Sequence, residues 1–306
     1  MSRVFPLLAL LWASFGADAA TTDRLRVVVS VIPLQTIVAQ IGGDWVEVTA
    51  LVQAGHSPAT YDPTPGQIAV ATDADLLVRV GVPFERVWMP RLRALGPDMT
   101  VLDVRQATDL IPLQAHAHDD HGSAHASSAD RDEDEDEHGH GHGDFDPHLW
   151  TDPLRVRQMA FAVRDALVRL RPQAKADLAR NTQRFEQRLL ALHDELQALL
   201  TPLAQRSFLV FHPAWGYFAQ RYGLEQIAIE HLGKTPNARQ LSRLVARARR
   251  DGIGTVFVQP QFHGQAAQRV ASSINGRLVQ LDPLAADVFA SLRTAAQAIA
   301  LAAAQP

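Results

Sequence analysis

Three histidines and one aspartate stand at places where the chain could collect a metal ion. They are His56, His148, His212 and Asp282. His212 and Asp282 directly follow predicted strands, His56 lies in the loop after another strand, and His148 precedes a predicted helix. Ligands in open α/β sheets gather beyond the carboxyl ends of strands, and Zn²⁺ accepts four imidazole or carboxylate ligands in a tetrahedral shell. A lone histidine after a strand is more often a surface residue, but four positions aimed at one cleft predict a metal site.

The elements that must position these side chains alternate between strands and helices. Val-rich runs bounded by polar or turn residues predict strands at 25–31, 46–52, 76–80, 99–104, 207–211, 225–229, 254–259 and 277–281. Apolar residues at helical spacing predict helices at 33–43, 155–170, 174–200, 241–250 and 287–303. The helix over 174–200 would be about 40 Å long at 1.5 Å per residue, which is long enough to join two lobes.

This alternation predicts an α/β fold with two lobes, mostly parallel sheets and one long rigid α-helix that joins them. The N-terminal α/β lobe is expected at 20–172, the linker helix at 173–203 and the C-terminal α/β lobe at 204–306. The candidate ligands come from both lobes, so the metal is expected in the interlobe cleft.

Composition indicates a globular protein and excludes several kinds of site. Apolar residues make up 47% of the sequence and charged residues 20%, which is enough to form a sizeable core. There is no cysteine, which excludes disulfides, thiolate zinc sites, cysteine nucleophiles and a lipidated N-terminal cysteine. No basic run with interleaved aromatic residues stands out, and we expect no nucleic-acid partner.

The first 19 residues have the pattern of a cleaved signal peptide. Arg3 precedes an apolar stretch from Val4 to Phe15, and Ala17-Asp18-Ala19 fits the small-residue cleavage rule. The apolar stretch is shorter than the roughly 20 residues that a membrane span needs. We therefore expect export to the bacterial periplasm by a cleaved signal peptide, without lipidation.

Residues 114–146 interrupt the pattern with an acidic, histidine-rich insert. The segment holds eleven acidic residues and one arginine, with little that could fill a core. Its seven histidines are His116, His118, His121, His125, His138, His140 and His142. We predict a disordered surface loop whose histidines form secondary, weak metal sites, with a solvated acidic linker as the simpler alternative.

The order of several motifs resembles that of one family of metal-binding proteins. GHSPATYDPTP, the His- and acid-rich insert, DPHLWTDP, FHPAWGYFAQRYGL and LDPLAAD follow one another as in the ZnuA-like zinc-binding proteins of bacterial ABC importers. The resemblance covers nearly the whole predicted mature chain. It implies a two-lobed solute-binding protein that holds one Zn²⁺ between the lobes with high affinity. It also implies delivery of that ion to an ABC permease driven by a cytoplasmic ATPase.

Residue by residue, the resemblance supports three ligands and departs at a fourth. His148 matches the second histidine ligand of the family, and His212 matches the third, where manganese-type relatives tend to carry a carboxylate. Asp282 matches an acidic position that ligates metal in several relatives. The family's first histidine follows the proline of the first motif, where this chain has Ala59. We expect His56, three residues earlier in a glycine-containing loop, to swing into that coordination point.

Several alternatives stay open at this point. If His56 does not reach the metal, His263 or His231 could complete the shell, or three protein ligands could bind together with water. A manganese- or iron-type carrier of the same family would have more oxygen ligands. A secreted zinc-dependent hydrolase would need an open coordination position and a base, for which Glu230 is the only candidate. A metal-dependent adhesin or a periplasmic zinc buffer would never dock a permease.

The resemblance therefore favours a binding protein over an enzyme. Its expected partners are the membrane permease and the ATPase, and a periplasmic zinc chaperone is a further candidate. The chain itself is expected to act as a monomer.

Overall fold

The computed structural model describes residues 24–112, 145–230, 236–262 and 265–304. The predicted signal peptide and the seven histidines of the insert lie outside these ranges, as do the alternative ligands His231 and His263. No helix within the described ranges has both the length and the apolar character needed to cross a bilayer.

The first lobe is built on a four-stranded parallel sheet. Its strands are β1 (Leu25–Val29), β2 (Val46–Ala50), β3 (Leu76–Arg79) and β4 (Thr100–Asp103), arranged as β2-β1-β3-β4. The helices α1 (Ile32–Gly42), α2 (Pro65–Thr72) and α3 (Pro83–Leu95) connect them. Val27, Val28 and Val29 of β1 are all buried, because a central parallel strand is covered on both faces and needs consecutive apolar residues.

Two helices lead from the first lobe to the second. They are α4 (Pro153–Leu170), which follows a 3₁₀ turn at Leu149–Thr151, and α5 (Lys175–Leu200). The chain leaves the helical conformation at Arg171, because that conformation is disfavoured for a residue that precedes proline, here Pro172. The buried side chains of α5 recur every three or four residues and form one apolar face: Leu178, Thr182, Phe185, Leu189, Leu192, Leu196 and Leu200.

The second lobe repeats the strand order of the first. Its parallel strands are β5 (Ser207–Val210), β6 (Glu225–Ala228), β7 (Thr255–Val258) and β8 (Arg277–Gln280), arranged as β6-β5-β7-β8. Its helices are α6 (Gly216–Tyr222), α7 (Ala238–Arg250), α8 (Gln265–Ser273) and α9 (Val288–Ala303). The predicted α/β fold of two parallel-sheet lobes with one long helix is confirmed.

One apolar core runs through both lobes. It combines side chains of the first sheet, α1 and α4 with the buried face of α5 and with residues of β5, α6 and α9. Phe185 of α5 packs edge-on against Phe289 of α9, with ring centroids 5.5 Å apart. A second, smaller core lies on the other face of the second sheet, under α7 and α8. Separating the lobes would therefore expose apolar surface to water, which costs about 25 cal/mol of free energy for each Å².

A buried ion network also joins the two lobes, with Asp152 at its centre. The Asp152 side chain is fully buried and caps α4 by accepting the Leu154 N–H at 2.9 Å. The same carboxylate accepts hydrogen bonds from Arg155 of α4 at 2.6 Å and from Arg221 of α6 at 2.8 Å. The hydrogen bond to Asp152 raises the pKa of the Arg221 guanidinium above its usual value. The start of α4 is thereby fixed against α6.

Candidate metal-binding site

A cleft of about 840 Å³ lies between the lobes, at the carboxyl ends of the strands of both sheets. The first lobe lines it with residues 57–60, 82–83, 111–112 and 146–148. The second lobe lines it with 212–213, 261–262 and 283–284, with Glu230 and Gln259, and with 216, 219–220, 224–226 and 228 on the side of α6 and β6. Open α/β sheets present their ligand sites at this edge, so the cleft is where chemistry is expected.

Two of the four predicted ligands, His148 and His212, meet inside this cleft. His148 immediately precedes the 3₁₀ turn that starts at Leu149, and His212 lies two residues beyond the end of β5. Their ring centroids are 5.3 Å apart and their planes are inclined by 75°. With Zn–N bonds of about 2.0–2.1 Å and a tetrahedral angle, two imidazoles on one zinc ion have centroids about 5 Å apart. The pair is therefore spaced to share one ion.

A buried carboxylate faces the Nδ1 atom of each imidazole. Asp146 Oδ1 lies 2.6 Å from Nδ1 of His148 and also accepts the His148 backbone N–H at 2.9 Å. Glu230 Oε2 lies 3.3 Å from Nδ1 of His212. An imidazole that donates its Nδ1 proton to a carboxylate leaves Nε2 unprotonated and available to a metal, and this pairing orients histidine ligands in many metal sites.

Two residues that follow β7, Gln259 and Phe262, hold the loop that carries His212. The His212 N–H donates to Gln259 Oε1 at 3.3 Å, and Gln259 Nε2 donates back to the His212 carbonyl at 2.8 Å. The ring of Phe262 stacks on the His212 imidazole with centroids 5.0 Å apart. These contacts fix both the backbone and the ring plane of His212.

His56 lies apart from this pair. Its side chain is exposed and sits in a separate surface depression, with its ring edge-on to Tyr61 at a centroid distance of 5.7 Å. Residues 57–60, which follow it, do line the interlobe cleft, and Ala59 is one of them. The structure thus places the loop at the cleft and the His56 imidazole outside it.

Asp282 lies behind the cleft wall. Its Oδ1 atom accepts the Leu284 N–H and the Gln261 side-chain amide, both at 2.9 Å. Gln261 and Leu284 line the cleft, whereas Asp282 does not.

In residues 24–112, 145–230, 236–262 and 265–304, no three histidine or acidic side chains are grouped so that they could hold a metal ion. The four-ligand set remains a prediction.

Asp146 and Glu230 line the cleft in roles that the sequence does not predict. From sequence, Asp146 belongs to the acidic insert, and Glu230 is a candidate only for the base of a hydrolase. Both could have been found: Asp146 stands two residues before His148 in DPHLW, and Glu230 comes just after the carboxyl end of β6. The carboxyl-end rule that selected His212 and Asp282 applies equally to Glu230.

Comparison with known protein families gives one match over most of the chain. The family described as ZnuA, zinc-uptake complex component A, periplasmic, matches residues 27–301. The high-affinity zinc uptake system protein ZnuA of Paracoccus denitrificans is 35% identical, over 91% of this chain and 90% of its own length. The protein of the same name from Yersinia pestis is 28% identical, over 86% of this chain and 84% of its own.

The zinc-binding lipoprotein AdcA of Streptococcus pneumoniae is a longer relative. It is 28% identical over 90% of this chain, which spans only 53% of the AdcA sequence. Among solved structures, a crystal structure of ZnuA superposes with a TM-score of 0.80 at 33% identity, over 92% of this chain and all of the other. A zinc-bound deletion mutant of ZnuA superposes with a TM-score of 0.81, also at 33% identity, over 93% of this chain and all of the other.

Proposed function

We propose a function from one premise: the chain belongs to the ZnuA family of periplasmic zinc-uptake components, whose match spans residues 27–301. On that basis it is a solute-binding protein that captures Zn²⁺ in the interlobe cleft with high affinity and delivers it to an ABC-type permease. The prediction that the chain is not an enzyme is confirmed by its membership in this uptake family. The observation that carries the proposal is the His148–His212 pair, with centroids 5.3 Å apart and a carboxylate behind each ring.

Zinc would bind first to the Nε2 atoms of His148 and His212, one from each lobe. We propose His56 and Asp282 as the remaining ligands. His56 reaches the pair only if its loop moves. Gly55 beside it has φ of 82°, and the wide backbone range of glycine is compatible with such a change. Ligation by Asp282 requires its side chain to rearrange, because the Gln261 amide and the Leu284 N–H both donate to its Oδ1 atom.

Zinc is favoured over manganese or iron because the second lobe contributes an imidazole at position 212. Nitrogen ligands suit zinc, whereas manganese sites are richer in oxygen ligands. The wider proposal includes a cleaved leader at 1–19, residence in the periplasm as a monomer, and a permease with a cytoplasmic ATPase as partners. A zinc chaperone that loads the protein is a further candidate partner.

Zinc titration of the metal-stripped protein tests the proposal. We expect one tight site per chain, with a higher melting temperature on zinc addition, because a ligand that binds only the folded state stabilises it. At free zinc about 100 times Kd the stabilisation is about 2.7 kcal/mol. Zinc uptake by vesicles that contain the reconstituted permease measures delivery. If the protein does not retain zinc tightly, the proposal that it captures zinc is wrong. If it binds zinc but does not stimulate uptake, it acts as a zinc buffer and not as a carrier.

Deletion of residues 116–142 is expected to remove weak zinc sites and to leave the tight site intact. The segment joins the described structure at Pro112 and Phe145, which form an isolated antiparallel bridge. The Asp146 N–H also donates to the Ile111 carbonyl at 3.1 Å, so the described residues on the two sides of the deleted segment are held together. Isothermal titration measures both classes of site.

A full-length chain with glutamine at all seven insert histidines is the matched control for this deletion. It separates the loss of imidazoles from the loss of length. If either variant loses the tight site, the insert is part of the primary site and the proposed division is wrong.

A further inference from the structure

The segment that follows His212 also contacts the group that orients His148. His212 lies in the loop between β5 and α6, and α6 begins four residues later with Gly216 and Tyr217. Both residues touch Asp146, the carboxylate behind His148. Asp146 belongs to the segment that leads from the first lobe into α4, whereas Gly216 and Tyr217 belong to the second lobe.

Gly216 leaves room for the Asp146 carboxylate. A Cβ atom at position 216 would lie 2.6 Å from Asp146 Oδ2 and 3.3 Å from Ile111 Cδ1. Non-bonded carbon and oxygen atoms do not approach to 2.6 Å without displacing one another. Asp146 Oδ1, the other oxygen of the same carboxylate, is the atom that lies 2.6 Å from His148 Nδ1. Any side chain at position 216 therefore moves the group that holds the His148 ring.

Tyr217 holds the backbone on both sides of the insert. Its hydroxyl donates to the Asp146 carbonyl at 2.8 Å and accepts the Ile111 N–H at 3.2 Å. The side chain is fully buried, and burial raises its pKa to about 12, so the hydroxyl keeps its proton at neutral pH. The Arg155 guanidinium lies 4.6 Å from the Tyr217 ring centroid, which adds a cation–π contact to the same side chain.

We propose that Gly216 and Tyr217 are positioning residues that set the orientation of His148 through Asp146. One continuous segment of the second lobe, the β5–α6 loop and the first turn of α6, then carries one proposed ligand, His212, and positions the other. This segment fixes the 5.3 Å spacing of the two rings before zinc binds. The inference rests on the proposed function, because it concerns zinc binding by the same pair, and it adds residues that do not themselves contact the ion.

The substitutions Gly216→Ala and Tyr217→Phe test the proposal. The alanine methyl meets the end of a side chain rather than backbone, so the fold is kept while the Asp146 carboxylate moves. The phenylalanine removes only the hydroxyl. Loss of an outer-shell partner of a metal-binding histidine typically lowers metal affinity by about 10–100-fold, and we expect that range for each variant. Competition titration with a zinc chelator measures the affinity.

Two matched controls keep the test specific. Tyr222→Phe removes a hydroxyl from another buried tyrosine of α6, and this hydroxyl lies 3.4 Å from Nδ1 of His193. Gly66→Ala adds a methyl where no atom lies within 4 Å. Neither residue contacts Asp146 or either cleft histidine in the described structure, and both controls should bind zinc as the wild type does.

Nitrogen NMR of the imidazoles in zinc-free protein supplies a readout that a general loss of stability would not change. We expect the His148 Nδ1 and Nε2 shifts to move in both test variants and to stay unchanged in the controls. Unchanged His148 shifts, or a loss of affinity that only follows a lower melting temperature, would overturn the inference. If the wild type itself retains no zinc, the proposed function fails, while the zinc-free NMR shifts still decide whether Gly216 and Tyr217 position His148.

Discussion

Alanine at His148 or His212 is expected to lower zinc affinity by about 100-fold or more. Losing an outer-shell partner of a ligating histidine typically costs 10–100-fold, and losing the ligand itself should cost at least as much. Each substitution also leaves a carboxylate, Asp146 or Glu230, facing an unoccupied space rather than an imidazole. Competition titration with a chelator of known affinity measures the effect for each variant.

His193→Ala is the matched control for this prediction. His193 is a partly buried histidine on α5 whose ring packs on Tyr222, outside the cleft. The same titration on His56→Ala distinguishes between two versions of the site. If His56→Ala lowers zinc affinity as much as His148→Ala does, the loop brings His56 to the ion. If zinc affinity is unchanged, another group completes the coordination shell. Wild-type affinity in both His148→Ala and His212→Ala would refute the cleft as the zinc site.

Replacing Asp152 by alanine is expected to destabilise the folded protein by about 3–5 kcal/mol. That range applies when one partner of a buried ion pair is removed and the other charges lose their compensation. Arg155 and Arg221 would both lose the carboxylate that they share, and α4 would lose its N-terminal cap. Chemical denaturation followed by circular dichroism measures the change in the free energy of unfolding.

Asp165→Ala is the appropriate comparison for Asp152. Asp165 pairs with Arg164 at the surface of α4, where its side chain is about half exposed, and exposed pairs contribute at most about 1 kcal/mol. If the two substitutions lower the free energy of unfolding by similar amounts, the interlobe network contributes no more stability than an ordinary surface ion pair. A loss confined to Asp152→Ala supports the network as a major connection between the lobes.

The strand pattern was predictable from sequence because central parallel strands are apolar without interruption. All eight predicted strands exist, and each observed strand is one or two residues shorter than the run that predicted it. The runs extend further because burial continues past the last strand residue, as at Leu51 and Val52.

Four helices between strands were not predicted: α2, α3, α6 and α8. α6 spans only seven residues and α3 contains Pro90, so neither gives a clear helical period.

The site was only partly predictable, because spacing along the chain does not give the direction of a side chain. His148 and His212 were selected by motif and strand end, and the fold brings them together. His56 is close to the cleft in sequence, yet its ring points into another depression beside Tyr61. No sequence signal marks Gly216, because its importance lies in the room left for an atom of Asp146, seventy residues earlier.

The larger core, which both lobes share, bears on how a zinc carrier of the proposed kind would be unloaded. With α5 packed against helices of both lobes, pulling the halves apart would require breaking apolar packing along much of that helix. Unloading is therefore expected to proceed by exchange of one donor atom at a time within a nearly unchanged frame. A recipient protein would then extract the ion by offering competing donors at the mouth of the cleft, without prising the two halves open.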